Sequence, residues 1–127
     1  MNNYENIQKR NLLLVDDTEF IHKYFIYILK DSNFTIYNAF SSSEAFRLLT
    51  QVPDISLVFM DIEMPGINGE IAMKEIKHHY PRIKVIAQTS HILNGDRQKL
   101  LSLGFDDYID KPITREKIFS TIQKYIK

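Results

Sequence analysis

Hydrophobic positions along the chain fall into two kinds of run, and the two kinds alternate. Four runs are short, continuous and apolar, and each ends on polar or turn residues. Leu12 to Val15 stops at Asp16-Asp17, and Ile55 to Met60 stops at Asp61. Val85 to Ala87 stops at Gln88-Thr89-Ser90, and Tyr108-Ile109 stops at Asp110-Lys111-Pro112. Such runs suit strands buried on both faces, as in a parallel sheet covered by helices. Phe34-Thr35-Ile36-Tyr37 alternates instead, the pattern of a strand at a sheet edge.

Helical spacing fills the gaps. Phe20, Ile21, Tyr24, Phe25, Ile28 and Leu29 share one helix face and read as core packing. Ser41 with Glu44 forms a capping box for a helix carrying Ala45, Phe46, Leu48 and Leu49. Asn68-Gly69 opens a weaker helix with Ile71, Ala72 and Ile76, closed off by Pro81. Ile92 to Leu103 reads as helix with Gly104 as its C-terminal cap. Thr114 caps a last helix whose inner face is Ile118, Phe119, Ile122 and Ile126. Strand and helix therefore alternate five times, which predicts an α/β fold with a doubly wound five-stranded parallel sheet.

Length and composition narrow the field. The chain has 127 residues, 44% of them hydrophobic and 25% charged, which fits one compact domain. Cysteine is absent, so disulfides, thiolate metal sites and cysteine nucleophiles are excluded. Sixteen basic residues balance sixteen acidic ones, leaving no net pull toward nucleic acid or anionic lipid. No apolar run is long enough to span a bilayer, and the start lacks a signal-peptide pattern. A cytoplasmic domain with no direct nucleic-acid binding and no membrane insertion is expected. Residues 1–10 read as an N-terminal lead and 11–127 as the domain.

In doubly wound sheets, ligands bind at the carboxyl ends of the strands. Those ends carry Asp16, Asp17, Asp61, Thr89 and Lys111. Converging carboxylates repel one another, and a hard divalent cation resolves the conflict; Mg²⁺ takes oxygen ligands and phosphate oxygens. Asp61 can serve as a nucleophile, since carboxylates form aspartyl phosphates. Phosphoryl transfer needs positioning and neutralisation of the equatorial oxygens. Mg²⁺ on one side, Lys111 on the other and the Thr89 hydroxyl meet that need.

These segments, LLLVDD, MDIEMPGING, IAQTS and DDYIDKPI, are each weak alone. Together and in this order they resemble the receiver domain of two-component response regulators, over roughly residues 10 to 127. The resemblance implies a flavodoxin-like fold with strand order 2-1-3-4-5. It implies Asp61 as phosphoacceptor and Mg²⁺ held by Asp16, Asp17, Asp61 and the backbone carbonyl of Glu63, with Asp17 a direct ligand. Lys111 would pair with the phosphoryl group, and its bond to Pro112 would be cis. Thr89 and Tyr108 would be a switch pair that biases the face of the fourth helix, fifth strand and fifth helix toward partners. A histidine kinase or a histidine phosphotransfer protein would be the phosphodonor. The downstream partner is open, as is a phosphorylation-dependent homodimer. The domain is expected to assist its own phosphorylation and dephosphorylation rather than to act as an enzyme on other substrates. The segments resemble receivers of hybrid histidine kinases as much as free-standing ones, so the chain either acts alone or belongs to a larger protein.

Several positions vary within such a family. Ser90 stands where alanine is frequent, and Glu63 and His91 are expected to tune phosphate lifetime through water access. Asp110 adds a charge beside Lys111. Taken singly, an aspartate pair is usually a solvated turn, a lone strand-end aspartate a helix cap, Lys111-Pro112 a turn, Thr89 a backbone satisfier and Tyr108 a boundary aromatic. His78-His79 reads as solvated near a helix end, and His22 as a poor phosphohistidine candidate. A phosphatase of the haloacid dehalogenase type needs D-x-D-x-[TV], whereas Asp61 is followed by Ile62-Glu63-Met64-Pro65. A decayed, phosphorylation-independent receiver would lack one of the key groups, and a flavodoxin-like cofactor carrier would need a phosphate-cradling loop after the first strand.

Overall fold

The computed structural model describes residues 10–64, 68–90 and 96–126. Ten elements alternate in chain order: β1 (Arg10–Val15), α1 (Glu19–Leu29), β2 (Phe34–Ala39), α2 (Ser42–Gln51), β3 (Ile55–Asp61), α3 (Gly69–His79), β4 (Lys84–Thr89), α4 (Asp96–Leu103), β5 (Asp107–Asp110) and α5 (Arg115–Tyr125). All five strands are parallel, in the order β2-β1-β3-β4-β5. The alternating Phe34 run lies at one edge as its pattern predicts. β5 closes the other edge, and Asp107 and Tyr108 there are only half-buried.

Side chains of successive strand residues point to opposite faces, and the sheet builds one core on each. Leu12, Leu14, Leu57, Phe59, Ile86 and Ile109 pack against α1 and α5 through Phe25, Ile28, Leu29, Ile118 and Ile122. Leu13, Val15, Val58, Met60, Val85 and Ala87 pack against α2, α3 and α4 through Ala45, Leu49, Ala72, Met73, Ile76 and Leu100. Each large side chain fully buried this way contributes about 1.5–3 kcal/mol. The continuous apolar runs are thus the strands covered on both faces.

The caps follow from local chemistry. Ser41 Oγ accepts from Glu44 N, while Glu44 reaches back one residue further than in a standard box, to Phe40 N at 2.8 Å. Asn68 caps α3 through Glu70 N and Ile71 N, and Thr114 caps α5 through Lys117 N. Gly104 ends α4 with φ +124°, a left-handed conformation that glycine adopts without steric cost. α4 begins at Asp96 in the structure; the expected start at Ile92 lies outside the described residues.

One expected core position, Phe20, is corrected. Phe20 is 71% exposed at the mouth of the sheet, where it lines a cavity with Asp16, Asp61 and Lys111. His22 is buried on α1 instead. Ile71 is 58% exposed, and Met73 fills the inner face of α3 alongside Ala72 and Ile76.

Candidate functional site

Register brings the polar strand ends into one row. Val15 pairs with Met60, so the next residues, Asp16 and Asp61, are neighbours; Asp61 pairs with Gln88, and Gln88 with Ile109. Alternation puts this row on the face covered by α1 and α5. Thr89 falls on the opposite face, the one that Tyr108 packs against.

Asp16 and Asp61 are almost fully buried, and Asp17 is exposed. One carboxylate oxygen from each of Asp16, Asp17 and Asp61 lies within 4.8 Å of the others. At that spacing two carboxylates repel by about 3 kcal/mol for an effective dielectric of ~20. Burial raises the pKa of Asp16 above its usual range, and the nearby Asp61 charge adds to the rise. The N–H of Thr18, donated to Asp16 Oδ1 at 2.8 Å, opposes it. The donor set is oxygen only and open to solvent at Asp17, which fits a hard cation that keeps some of its waters.

Lys111 is the positive counterpart. Its Nζ donates to Asp61 Oδ1 at 3.2 Å and lies 3.2 Å from Glu63 Oε1. Burial pulls the Lys111 pKa down, but the Glu63 and Asp61 carboxylates outweigh it and hold the ammonium above its usual value. The Lys111-Pro112 bond is cis. Lys111 N donates to Thr89 O at 2.9 Å, tying the β5 exit to the end of β4.

Glu63 follows Asp61 by two residues, and its N–H donates to Asp61 Oδ1 at 2.8 Å. Its side chain accepts from Ser90 N and Ser90 Oγ, each at 2.7 Å. Burial alone would raise the Glu63 pKa, but Ser90 and Lys111 together bring it below the ordinary carboxylate range. Thr89 is buried at the β4 end. Tyr108 accepts a hydrogen bond at its hydroxyl from Arg97 Nε, and the guanidinium sits 5.2 Å from the ring centroid. Asp110 pairs with Lys117 at 3.2 Å. His91 lies outside the described residues, as do Pro65 and Gly66 of the loop after Asp61. His78 and His79 are exposed in the last turn of α3.

Two residues near the site escape a reading by motif. Gln88 is fully buried beside Asp61, and neither amide atom meets a hydrogen-bond partner among the described residues. Its place between two apolar residues and a threonine gave no signal, although the sheet register alone would have found it. His22, 2% exposed, bonds the backbone of Asp16. A polar residue interrupting an apolar helix face was its only trace in the sequence.

The family model of the response regulator receiver domain matches residues 12–123. The chain belongs to this family and is a receiver domain of the two-component phosphorelay type. It is 31% identical over 123 residues to hybrid signal transduction histidine kinase L of Dictyostelium discoideum, covering 91% of this chain and 7% of that protein. It is 29% identical over 119 residues to two-component system protein A of Emericella nidulans, covering 92% of this chain and 17% of that one. The chain thus spans less than a fifth of either relative. Among solved structures it resembles a receiver domain protein of Clostridium thermocellum, with TM-score 0.82, 27% identity and coverage of 92% and 94% of the two chains. Among the described residues no helix is long and apolar enough to cross a membrane.

Proposed function

We propose that Asp61 is the residue that accepts the phosphoryl group and that Asp16, Asp17, Asp61 and the Glu63 carbonyl hold Mg²⁺ during the transfer. What carries this reading is the convergence of three carboxylates, within 4.8 Å, on a site where the Lys111 ammonium lies 3.2 Å from Asp61. Bound Mg²⁺ supplies charge neutralisation for the carboxylates and for the equatorial phosphoryl oxygens. An Asp61 oxygen attacks the phosphorus of a phosphohistidine; the P–N bond breaks and its electron pair returns to the imidazole. Lys111 then exchanges a carboxylate partner for a phosphoryl oxygen, and the Thr89 hydroxyl donates to another. Hydrolysis of the acyl phosphate in the same site resets the domain, a self-directed reaction rather than turnover of a separate substrate.

The phosphodonor in this reading is a histidine kinase or a histidine phosphotransfer protein of the cytoplasm. It docks where exposed Phe20 adjoins a cavity of about 500 Å³ lined by Ile21, Tyr24, Pro112 and Ile113 and reaching Asp61. A solved relative, the Saccharomyces cerevisiae Ssk1 receiver domain, was crystallised with the histidine phosphotransfer protein Ypd1 (22% identity, TM-score 0.82), a precedent for such a partner. The output is a shift of Tyr108 behind Thr89, which remodels the α4–β5–α5 face toward a downstream protein or a second copy of the chain. The unit that does this runs from 11 to 127.

Intact-protein mass spectrometry after incubation with acetyl phosphate tests the acceptor. One phosphoryl adduct is expected with Mg²⁺, absent with EDTA or in Asp61→Asn, and labile to hydroxylamine. No adduct from acetyl phosphate and none from a promiscuous histidine kinase would overturn the reading in favour of a receiver that works by binding alone.

A further inference from the structure

The buried ring of His22 sits directly behind the acidic pair. It packs tilted against Phe40, with centroids 4.1 Å apart and planes 34° from parallel. Its Nε2 is 2.7 Å from the carbonyl oxygen of Asp16, and its Nδ1 is 2.6 Å from Asn38 Oδ1. A carbonyl only accepts, so Nε2 carries a proton and donates to Asp16. The Asn38 amide faces Nδ1 through Oδ1, and its Nδ2 points to Ile36 O at 3.5 Å, which holds it against the far side of the ring.

The bond to Asp16 has a consequence for both aspartates. The carbonyl of Asp16 and the N–H of Asp17 belong to one planar peptide unit. The Asp16 N–H is already held by Ala39 O at 3.1 Å, at the end of β2. With the carbonyl held by His22 as well, the peptide units on both sides of Asp16 are restrained. The Cα–Cβ directions of Asp16 and Asp17, from which their carboxylates extend, are therefore set together. Mg²⁺ demands near-ideal geometry at short distances, so a ligand pair on a freely rotating peptide would hold it poorly.

We propose that His22 is a positioning residue for the acidic pair, acting through the Asp16 main chain, with Asn38 and Phe40 fixing the ring. The inference rests on the reading of Asp16, Asp17 and Asp61 as a Mg²⁺ site. A buried histidine that only fills space would give its packing to the core without influencing the cation. Outer-shell partners of metal ligands characteristically change affinity by about 10–100-fold when removed.

The test uses Mg²⁺ itself, titrated into the full chain and followed by calorimetry and by the amide resonances of Asp16 and Asp17, with thermal unfolding measured in parallel. Three variants separate the roles. His22→Leu keeps an apolar filler and removes both ring bonds; His22→Gln keeps an amide donor near the place of Nε2; His22→Asn keeps a polar group too short to reach Asp16. Mg²⁺ binding is expected to weaken about 10-fold or more in Leu and Asn, and to stay within about threefold of wild type in Gln. The wild-type Nε2 proton should appear as a slowly exchanging ring resonance that shifts when Mg²⁺ is added. Equal Mg²⁺ affinity in Gln and Asn, with only the unfolding temperature changed, would overturn the inference and leave His22 a packing residue. If His22→Leu fails to fold, the Gln and Asn pair decides alone. Wild-type protein that bound no Mg²⁺ would instead overturn the metal site on which the inference rests.

Discussion

Glu63 accepts both hydrogen bonds that Ser90 can donate, from its N–H and from its hydroxyl, each at 2.7 Å. The same carboxylate lies 3.2 Å from Lys111 Nζ. In the resting domain a side-chain anion therefore occupies donors beside Asp61, and an incoming phosphoryl group has to compete for Lys111. Glu63→Ala is expected to speed phosphorylation by acetyl phosphate about fivefold, roughly 1 kcal/mol for a part-exposed ion pair. If the carboxylate also screens the acyl phosphate from water, the same substitution should alter its hydrolysis rate. Rates of adduct formation and decay indistinguishable from wild type would remove Glu63 from both roles.

Arg97 holds Tyr108 from outside through its hydroxyl and its ring face. If the proposed switch swings Tyr108 toward Thr89, that contact has to break. Arg97→Ala should then shift the Tyr108 ring resonances of the unphosphorylated domain toward their positions in the form activated by beryllofluoride. In Tyr108→Phe, which already lacks the hydroxyl, Arg97→Ala should move the ring resonances at position 108 markedly less. Additive effects of the two substitutions would mean that the contact does not restrain the switch.

Gln88 is buried without a hydrogen-bond partner among the described residues. An unsatisfied buried amide costs about 1–3 kcal/mol, and an apolar group of similar shape avoids that cost. Gln88→Met is therefore expected to stabilise the domain by about 1 kcal/mol, a rise of roughly 3–6 °C in unfolding temperature. Calorimetric unfolding decides it: a fall in Tm would show that the amide is paired in solution.

Asp107 anchors the α5 side of the fold. It accepts from Tyr125 Oη at 2.7 Å and from Lys124 Nζ at 3.0 Å. Burial alone would raise its pKa, but these donors and the Tyr108 N–H together lower it. A carboxyl with a depressed folded pKa adds stability above its unfolded value of about 3.9, and loses it as the pH falls through the folded value. Asp107→Asn should thus cost about 1–2 kcal/mol at pH 7. The gap to wild type should narrow below about pH 4. Denaturant unfolding at pH 7 and pH 3 checks this, and a gap independent of pH would assign the loss to packing.

The order of strands and helices, the caps at Ser41, Asn68 and Thr114, and the Gly104 terminus were legible in the sequence because each rests on local chemistry. Periodicity and hydrogen-bonding side chains act over a few residues. The strand-end positions of Asp16, Asp17, Asp61, Thr89 and Lys111 were legible for the same reason, since each follows an apolar run. What Phe20, Ile71, His22 and Gln88 do was not. Phe20 and Ile71 continue an apolar face on paper, yet burial depends on where the helix meets the edge of the sheet. The contacts between His22 and Asp16, between Glu63 and Ser90, and between Arg97 and Tyr108 join residues 6 to 27 positions apart. Strand register and crossover set those distances, and no local pattern encodes them. Local patterning placed these groups at the mouth of the sheet; strand pairing chose which of them meet, because parallel register aligns residues that the chain keeps apart.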